Sequence, residues 1–265
     1  MKTIYCQPLG GLCNRMRVIT GAMELAKVLN SKLVVIWTSD STLNAKFSDL
    51  FEPLSYKVID APLTSWSQRF RWHTLTKILR YTILGDGWIM SEAREKELNT
   101  WINKIQDKNI LINANLDIIL GGDYSIFKPK KSVLTELNNV KCDKNVIGIH
   151  IRRTDNTNAV KYSPTQLFIE KVKGDIAKEP DLRFYLATDD PKEEEAFKNE
   201  FGDRILIYKK HSLDRNNPLA IKDALVDLYN LSCCRRIYGS YYSSFSDTAA
   251  LWAGIEKVEI KKNLI

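Results

Sequence analysis

Apolar and polar positions along the chain alternate between short strand-like runs and longer stretches with a period near 3.6. Thr3 to Gln7 reads as a buried strand and Pro8 to Asn14 as a glycine-bearing turn. Arg15 to Leu29 reads as a helix, with apolar Met16, Ile19, Met23, Ala26 and Leu29 at helical spacing. Lys32 to Trp37 returns as a strand and completes a βαβ unit. Parallel strands of this kind place the glycine turn at the carboxyl edge of the sheet, where open α/β folds bind ligands. Helices are expected over Ser65 to Ile83 and Ser91 to Ile105, and a strand over Asn109 to Ala114. A loop with Gly121, Gly122 and Pro129 leads into the polar segment Lys130 to Asp143, the expected domain boundary.

Beyond that segment the alternation restarts. Strands are predicted over Asn145 to Ile151, Arg183 to Ala187, Arg204 to Tyr208, Arg236 to Tyr238 and Lys257 to Ile260. Between them, helices are predicted from Pro164 with Ser163 as N-cap, and over Pro191 to Glu200, Pro218 to Cys233 and Ser244 to Ala253. The fold class is therefore α/β. Two successive βα arrays imply two Rossmann-like domains, residues 1–138 and 139–265, facing a cleft; a single larger α/β domain is the alternative.

Composition narrows the picture only a little. A length of 265 residues suits two small domains, and 44% hydrophobic with 27% charged residues is ordinary for a globular protein. The net charge of +7 raises the odds of an anionic partner. Much of the surplus is scattered lysine, such as Lys130, Lys131, Lys209 and Lys210, which reads as solvated surface. Nucleic acid is not expected, because no basic aromatic motif of the usual binding modules is present. Cys6, Cys13, Cys142, Cys233 and Cys234 form an odd set, and a reduced compartment fits them best. His73, His150 and His211 lie far apart with no Cys-x-x-Cys, so no metal site is expected. Met1 leads straight into a strand, and no apolar stretch approaches the roughly 18 to 20 residues that span a bilayer. A cytoplasmic protein is the expectation.

Four segments carry candidate chemistry. The first, His150-Ile151-Arg152-Arg153-Thr154-Asp155, puts two guanidinium groups at the end of a buried strand. An arginine fork suits a diphosphate because it donates parallel hydrogen bonds and stays charged, and Asp155 would orient it; a structural ion pair is the bland reading. The second, Tyr238-Gly239-Ser240-Tyr241-Tyr242-Ser243-Ser244-Phe245, runs from a strand into a helix N-terminus, which suits an anion; serines also cap ordinary helices. The third comprises Asp189 and Asp190, which would serve a pocket or cap the Pro191 helix, and Asp227, a carboxylate in an otherwise apolar helix that needs a partner such as the donor edge of a base. The last, Gly10-Gly11-Leu12-Cys13-Asn14-Arg15, lets backbone amides approach a bound group, but it is neither the dinucleotide fingerprint nor a P-loop.

Taken in order, these segments resemble the superfamily of α1,2-, α1,6- and protein O-fucosyltransferases, most closely the α1,6 branch that includes the rhizobial Nod-factor fucosyltransferase. The resemblance rests on His-x-Arg-Arg-x-Asp, on Tyr185-Leu186-Ala187-Thr188-Asp189-Asp190-Pro191 and on Tyr242-Ser243-Ser244. It implies a GT-B fold, inverting transfer of fucose or a related deoxysugar from a GDP-sugar, no metal and no cofactor. By motif, Arg152 would grip the β-phosphate with Arg153 in support, as the catalytic pair. His150 and Asp227 would contact guanosine, and Ser243, Ser244 and the Phe245 amide would hold the diphosphate. Asp189 and Asp190 would shape the donor pocket, while Gly11, Leu12, Cys13 and Asn14 would close over it. The acceptor would be an oligosaccharide, polysaccharide or lipid-linked sugar. Where the α1,6 enzymes carry Lys and then Glu, the run here is Asn156-Thr157-Asn158-Ala159-Val160-Lys161, so no general base is assigned and the N-glycan core is not the expected acceptor. A catalytically silent nucleotide- or glycan-binding protein is the alternative. The stretch Trp66 to His73 is expected either to meet sugar rings or a lipid-linked acceptor at the inner membrane surface, or simply to pack as an amphipathic helix.

Overall fold

The computed structural model describes residues 2–62, 82–84, 103, 109–115, 122–137, 140, 142–154, 156–214 and 216–262. The chain forms two compact units, Met1–Lys130 with Asp214–Ile221, and Lys131–Leu213 with Lys222–Ile265.

In the first unit, strands β1 (Thr3–Pro8), β2 (Lys32–Ser39), β3 (Lys57–Pro62), β4 (Thr82–Leu84) and β5 (Ile110–Ala114) form a parallel sheet in the order β3-β2-β1-β5-β4. Among the described residues it carries the helices α1 (Leu12–Val28) and the single turn α2 (Phe47–Leu50). Trp37 on β2 is fully buried, donates its indole N–H to Ala45 O at 2.8 Å, and starts an aromatic row through Phe47, Phe51 and Phe127. Thr82 and Ile83 pair in parallel with β5, which corrects the helix expected there; the rest of that segment, and the Ser91 to Ile105 helix except Asn103, lie outside the described residues.

The second unit contains α3 (Lys131–Leu137), β6 (Val146–Ile151), α4 (Thr157–Tyr162), α5 (Thr165–Ile176), β7 (Arg183–Thr188), α6 (Pro191–Phe201), β8 (Ile205–Leu206), α7 (Pro218–Cys233, from Lys222 onward), β9 (Ile237–Ser240), α8 (Ser244–Ala253) and β10 (Lys257–Ile260). The sheet order is β10-β9-β6-β7-β8, all parallel. Central β6 is buried along its whole length, as a strand covered on both faces must be. Ile147, Ile149 and Ile151 share a core with Phe168 and Val172 of α5, Phe184 and Leu186 of β7 and Phe197 of α6. Each such aliphatic side chain contributes about 2 kcal/mol by leaving water.

One expected cap is corrected. Pro164 occupies the N-cap position of α5, while the buried Ser163 hydroxyl donates to Ile260 O at 2.6 Å and accepts from the Tyr241 amide at 2.7 Å. A buried hydroxyl between two strand ends serves unpaired backbone groups there, which outweighs capping an adjacent helix.

The order of the second sheet reverses at β6, because β7 lies on one side and β9 on the other. Ligands of doubly wound sheets bind at such a switch point, outside the carboxyl ends of the strands. The chain leaves β6 at Arg152 and leaves β9 at Tyr241, so the His-x-Arg-Arg segment and the serine turn meet there.

Candidate active site

Ser240, at the end of β9, joins the two strand ends. Its buried hydroxyl accepts from the Arg152 amide at 3.0 Å and donates to His150 O at 3.3 Å. Just beyond β7, Asp189 accepts from the Arg153 amide at 2.8 Å and from the Thr154 hydroxyl at 2.6 Å, and pairs with Arg152 Nη1 at 2.7 Å. Burial works to raise the Asp189 pKa, but the Arg152 charge and the Thr154 hydrogen bond hold it below the usual carboxylate value. Asp189 thus orients Arg152; Asp155, from which the same was expected, lies outside the described residues. Asp190 caps α6, accepting from the Lys192 amide at 3.0 Å.

The two arginines differ in what occupies them. Arg153 sends Nε to Glu193 Oε1 at 2.6 Å, Nη1 to Arg152 O at 3.0 Å and Nη2 to the Thr165 hydroxyl at 3.0 Å. Its guanidinium is thus bound into the protein and buttresses the Arg152 main chain. Arg152 keeps 21% of its side chain exposed, with Asp189 as its carboxylate partner.

His150 is buried and lies 4.8 Å, ring to ring, from Phe245 at 23°. Its Nδ1 is 3.4 Å from the Ser243 hydroxyl. Burial first, then the Arg152 charge, push its pKa down to about 3, so the imidazole is neutral at ordinary pH. Ser243 holds the N-cap position of α8 without a side-chain cap bond, and the helix geometry leaves the amides of its first turn, from Ser244 and Phe245 onward, without intrahelical acceptors. That arrangement offers an anion two kinds of donor at the same sheet edge. Gly239 permits it, since a Cβ there would sit 2.5 Å from the Ser246 hydroxyl oxygen.

Asp227, on α7, is buried, accepts from the Tyr185 hydroxyl at 2.5 Å and pairs with Lys210 Nζ at 3.3 Å. Burial raises its pKa to about 6 despite Lys210. Lys210 is not the solvated lysine that composition suggested: it is only 10% exposed and also meets Glu194 at 2.9 Å. A lysine reads the same in sequence whether solvated or buried, and two carboxylates brought from α6 and α7 decide the matter here.

In the first unit Gly10 has φ +77°, and Gly11 is the N-cap of α1, followed by buried Leu12 and Cys13 and half-buried Asn14. What shapes this turn is Arg15. Its Nε donates to Gly10 O at 2.7 Å, its Nη1 to Thr38 O, and its Nη2 pairs with Asp40 at 2.9 Å. Reading the sequence for chemistry missed Glu193 and gave no role to Arg15 and Ser240, which lie within the candidate segments, or to Lys210, taken as solvated. A small polar residue closing a buried strand was the available signal for Ser240. Among the described residues no group of three or more His, Cys, Asp or Glu is placed to hold a metal ion, and no helix is long and apolar enough to cross a membrane.

No family model and no curated protein matches the sequence. Solved structures do match its fold. NodZ α1,6-fucosyltransferase from Bradyrhizobium, soaked with GDP-fucose, superposes with a TM-score of 0.59 at 16% identity, over 95% of this chain and 92% of that one. The chain has a fucosyltransferase fold. Arabidopsis thaliana FUT1 in complex with GDP aligns at TM-score 0.60 and 14% identity, over 97% of this chain and 70% of that one. POFUT1 in complex with GDP-fucose aligns at 0.56 and 12%, over 98% of both. The fucosyltransferase fold is thus shared along nearly the whole chain, whereas the sequence motifs that resemble the family lie mostly between Val146 and Ala250.

Proposed function

We propose that this protein is an inverting, metal-independent glycosyltransferase of GT-B type that moves fucose, or a related deoxysugar, from a GDP-sugar to a glycan acceptor. The observation that carries the reading is Arg152, fixed at the switch point of the second sheet and tied through Ser240 to the strand that feeds the α8 N-terminus. As the bond from sugar to diphosphate breaks, GDP gains negative charge. A guanidinium and helix amides already in place meet that charge without reorganising, and this is where such a site accelerates the reaction. Arg152 exchanges Asp189 for the β-phosphate, while Arg153 holds the Arg152 main chain. Ser243, Ser244 and the Phe245 amide hold the diphosphate, and guanosine meets neutral His150 and Asp227. Residues 139–265 form the donor domain under this reading, and residues 1–138, with Gly11 to Asn14, the acceptor side. Acceptors are oligosaccharides, polysaccharides or lipid-linked sugars used on the cytoplasmic side, including the inner membrane surface.

A second reading, a silent nucleotide- or glycan-binding protein, draws on one observation. The Asn156–Lys161 run, where a base would follow the arginines, contributes no carboxylate and is taken up by α4 and its Asn156 cap. Calorimetry with GDP, UDP and ADP in EDTA, on wild type and Arg152→Ala, tests the nucleotide site. Selective GDP binding lost in the variant supports it, and a folded protein that ignores GDP refutes it. Release of free fucose from GDP-fucose by the wild type then separates the enzyme from the silent protein.

A further inference from the structure

Next to the serine turn stands a feature that the donor reading does not use. Tyr242 is 70% exposed, and its φ of +56° places a bulky residue in the left-handed region. Such a conformation is strained and persists only where the surroundings enforce it. Here they do: the Asn156 amide donates to Tyr242 O at 2.8 Å from one side, and the Ser163 hydroxyl accepts from the Tyr241 amide at 2.7 Å from the other. The turn therefore presents an aromatic ring to solvent at a backbone cost, directly before Ser243.

The ring is not alone. Tyr241 lies 6.0 Å from Tyr242, and Tyr162 at the end of α4 meets Tyr241 edge-on at 5.4 Å. Lys161 Nζ stands 4.9 Å over Tyr162, and Lys261 Nζ stands 4.9 Å over Tyr241. Lys262 is exposed beside them, its amide bound to Tyr162 O at 2.8 Å. Glu259 pairs with Lys261 at 2.8 Å, which leaves Lys161 and Lys262 to give the cluster its positive sign.

We infer that Tyr242, backed by Tyr241 and Tyr162 and flanked by Lys161, Lys261 and Lys262, is a binding subsite for an anionic sugar of the acceptor. The flat ring takes the apolar face of a pyranose, and the ammonium groups take a carboxylate or phosphate on the same or the next sugar. This inference rests on the donor reading, because it is adjacency to Ser243 and Ser244 that makes the bound sugar an acceptor.

The test uses the full chain saturated with GDP and titrated with tetragalacturonate, phosphorylated maltotetraose or maltotetraose, in wild type, Tyr242→Gly and Tyr242→Phe. Glycine relieves the backbone conformation while removing the ring, so loss of binding in that variant is not a folding defect, and unchanged GDP affinity confirms this in the same samples. The expected result is binding of at least one anionic glycan that weakens about tenfold or more in Tyr242→Gly and survives in Tyr242→Phe. The two anionic arms distinguish carboxylate from phosphate. Equal binding of neutral maltotetraose, unchanged affinity in Tyr242→Gly, or no glycan binding by a protein that binds GDP would each overturn the subsite. Failure to bind GDP would instead overturn the donor reading on which it rests.

Discussion

Two arginines stand at the carboxyl edges of two parallel sheets, and they do opposite things. Arg15, at the start of α1, is fully buried, lies 5.0 Å over the Trp37 ring and spends its guanidinium on Gly10 O, Thr38 O and Asp40. Arg152, just past β6, has its main chain held by Ser240 and leaves part of its guanidinium at the surface beside Asp189. Burial pulls the Arg15 pKa down, and Asp40 partly restores it. The first is a clamp on a turn, and the second is a partly exposed charge at the switch point of its sheet. A carboxylate beside an arginine is thus no guide to function until the remaining donors are traced.

The sharpest way to break this comparison is to remove each arginine and ask what is lost. Under the proposed transfer, Arg152→Ala is expected to lower turnover of the GDP-sugar by about 10²- to 10³-fold, the effect of removing a preorganised donor to a developing anion, with the melting temperature little changed. Parallel rates and melting curves check this, and an active Arg152→Ala would refute the assignment. Arg15→Met should act the other way, costing about 3 kcal/mol of stability because Asp40 and the Gly10 and Thr38 carbonyls lose their donor. Chemical denaturation reads that cost, and a midpoint close to wild type would show that the turn does not depend on Arg15.

A smaller effect is expected at Gly239. Its alanine variant places a Cβ against the Ser246 hydroxyl, and overpacking of this kind costs about 2 kcal/mol. The double variant Gly239→Ala, Ser246→Gly should recover most of it, and failure to recover would move the cause elsewhere.

The last effect concerns pH, where two buried groups oppose each other. His150 has a folded pKa of about 3, below the ordinary value of about 6.5. Between those values the unfolded chain binds the proton and the folded protein does not, so His150 lowers stability as pH falls from about 6.5 toward 3. His150→Gln should flatten that acid limb in melting curves taken between pH 4 and 7. Asp227 runs in the opposite sense. Its folded pKa is raised to about 6, so its contribution is present at low pH and lost as pH rises toward 6, and Asp227→Asn separates the two.

Much of the architecture was legible from local pattern. The strand Asn145 to Ile151 and the helix Pro191 to Glu200 were expected within a residue of β6 and α6, because an unbroken apolar run and a Pro at the first helical position are local signals. Short elements were not legible. β3, α2 and α4 are four to six residues long, too short for periodicity to rise above the polar residues around them. At the candidate site the sequence pointed to His150, Arg152, Asp189 and Ser243, which the sheet brings together. The supporting part of Arg153 came from the family resemblance alone, since adjacent identical side chains carry no sign of which one meets Glu193 and Thr165.

By itself, then, the sequence determined the alternation of strands and helices, the strand ends at which charge collects and the resemblance to the fucosyltransferases. These follow from residues within a few positions of one another. Tertiary structure alone decided that Lys210 is buried, that Ser163 serves two strand ends and that Tyr242 is held in the left-handed region. Each of those outcomes depends on partners from 16 to 97 residues away, and a hydrogen bond or an ion pair at that separation leaves no local pattern to read.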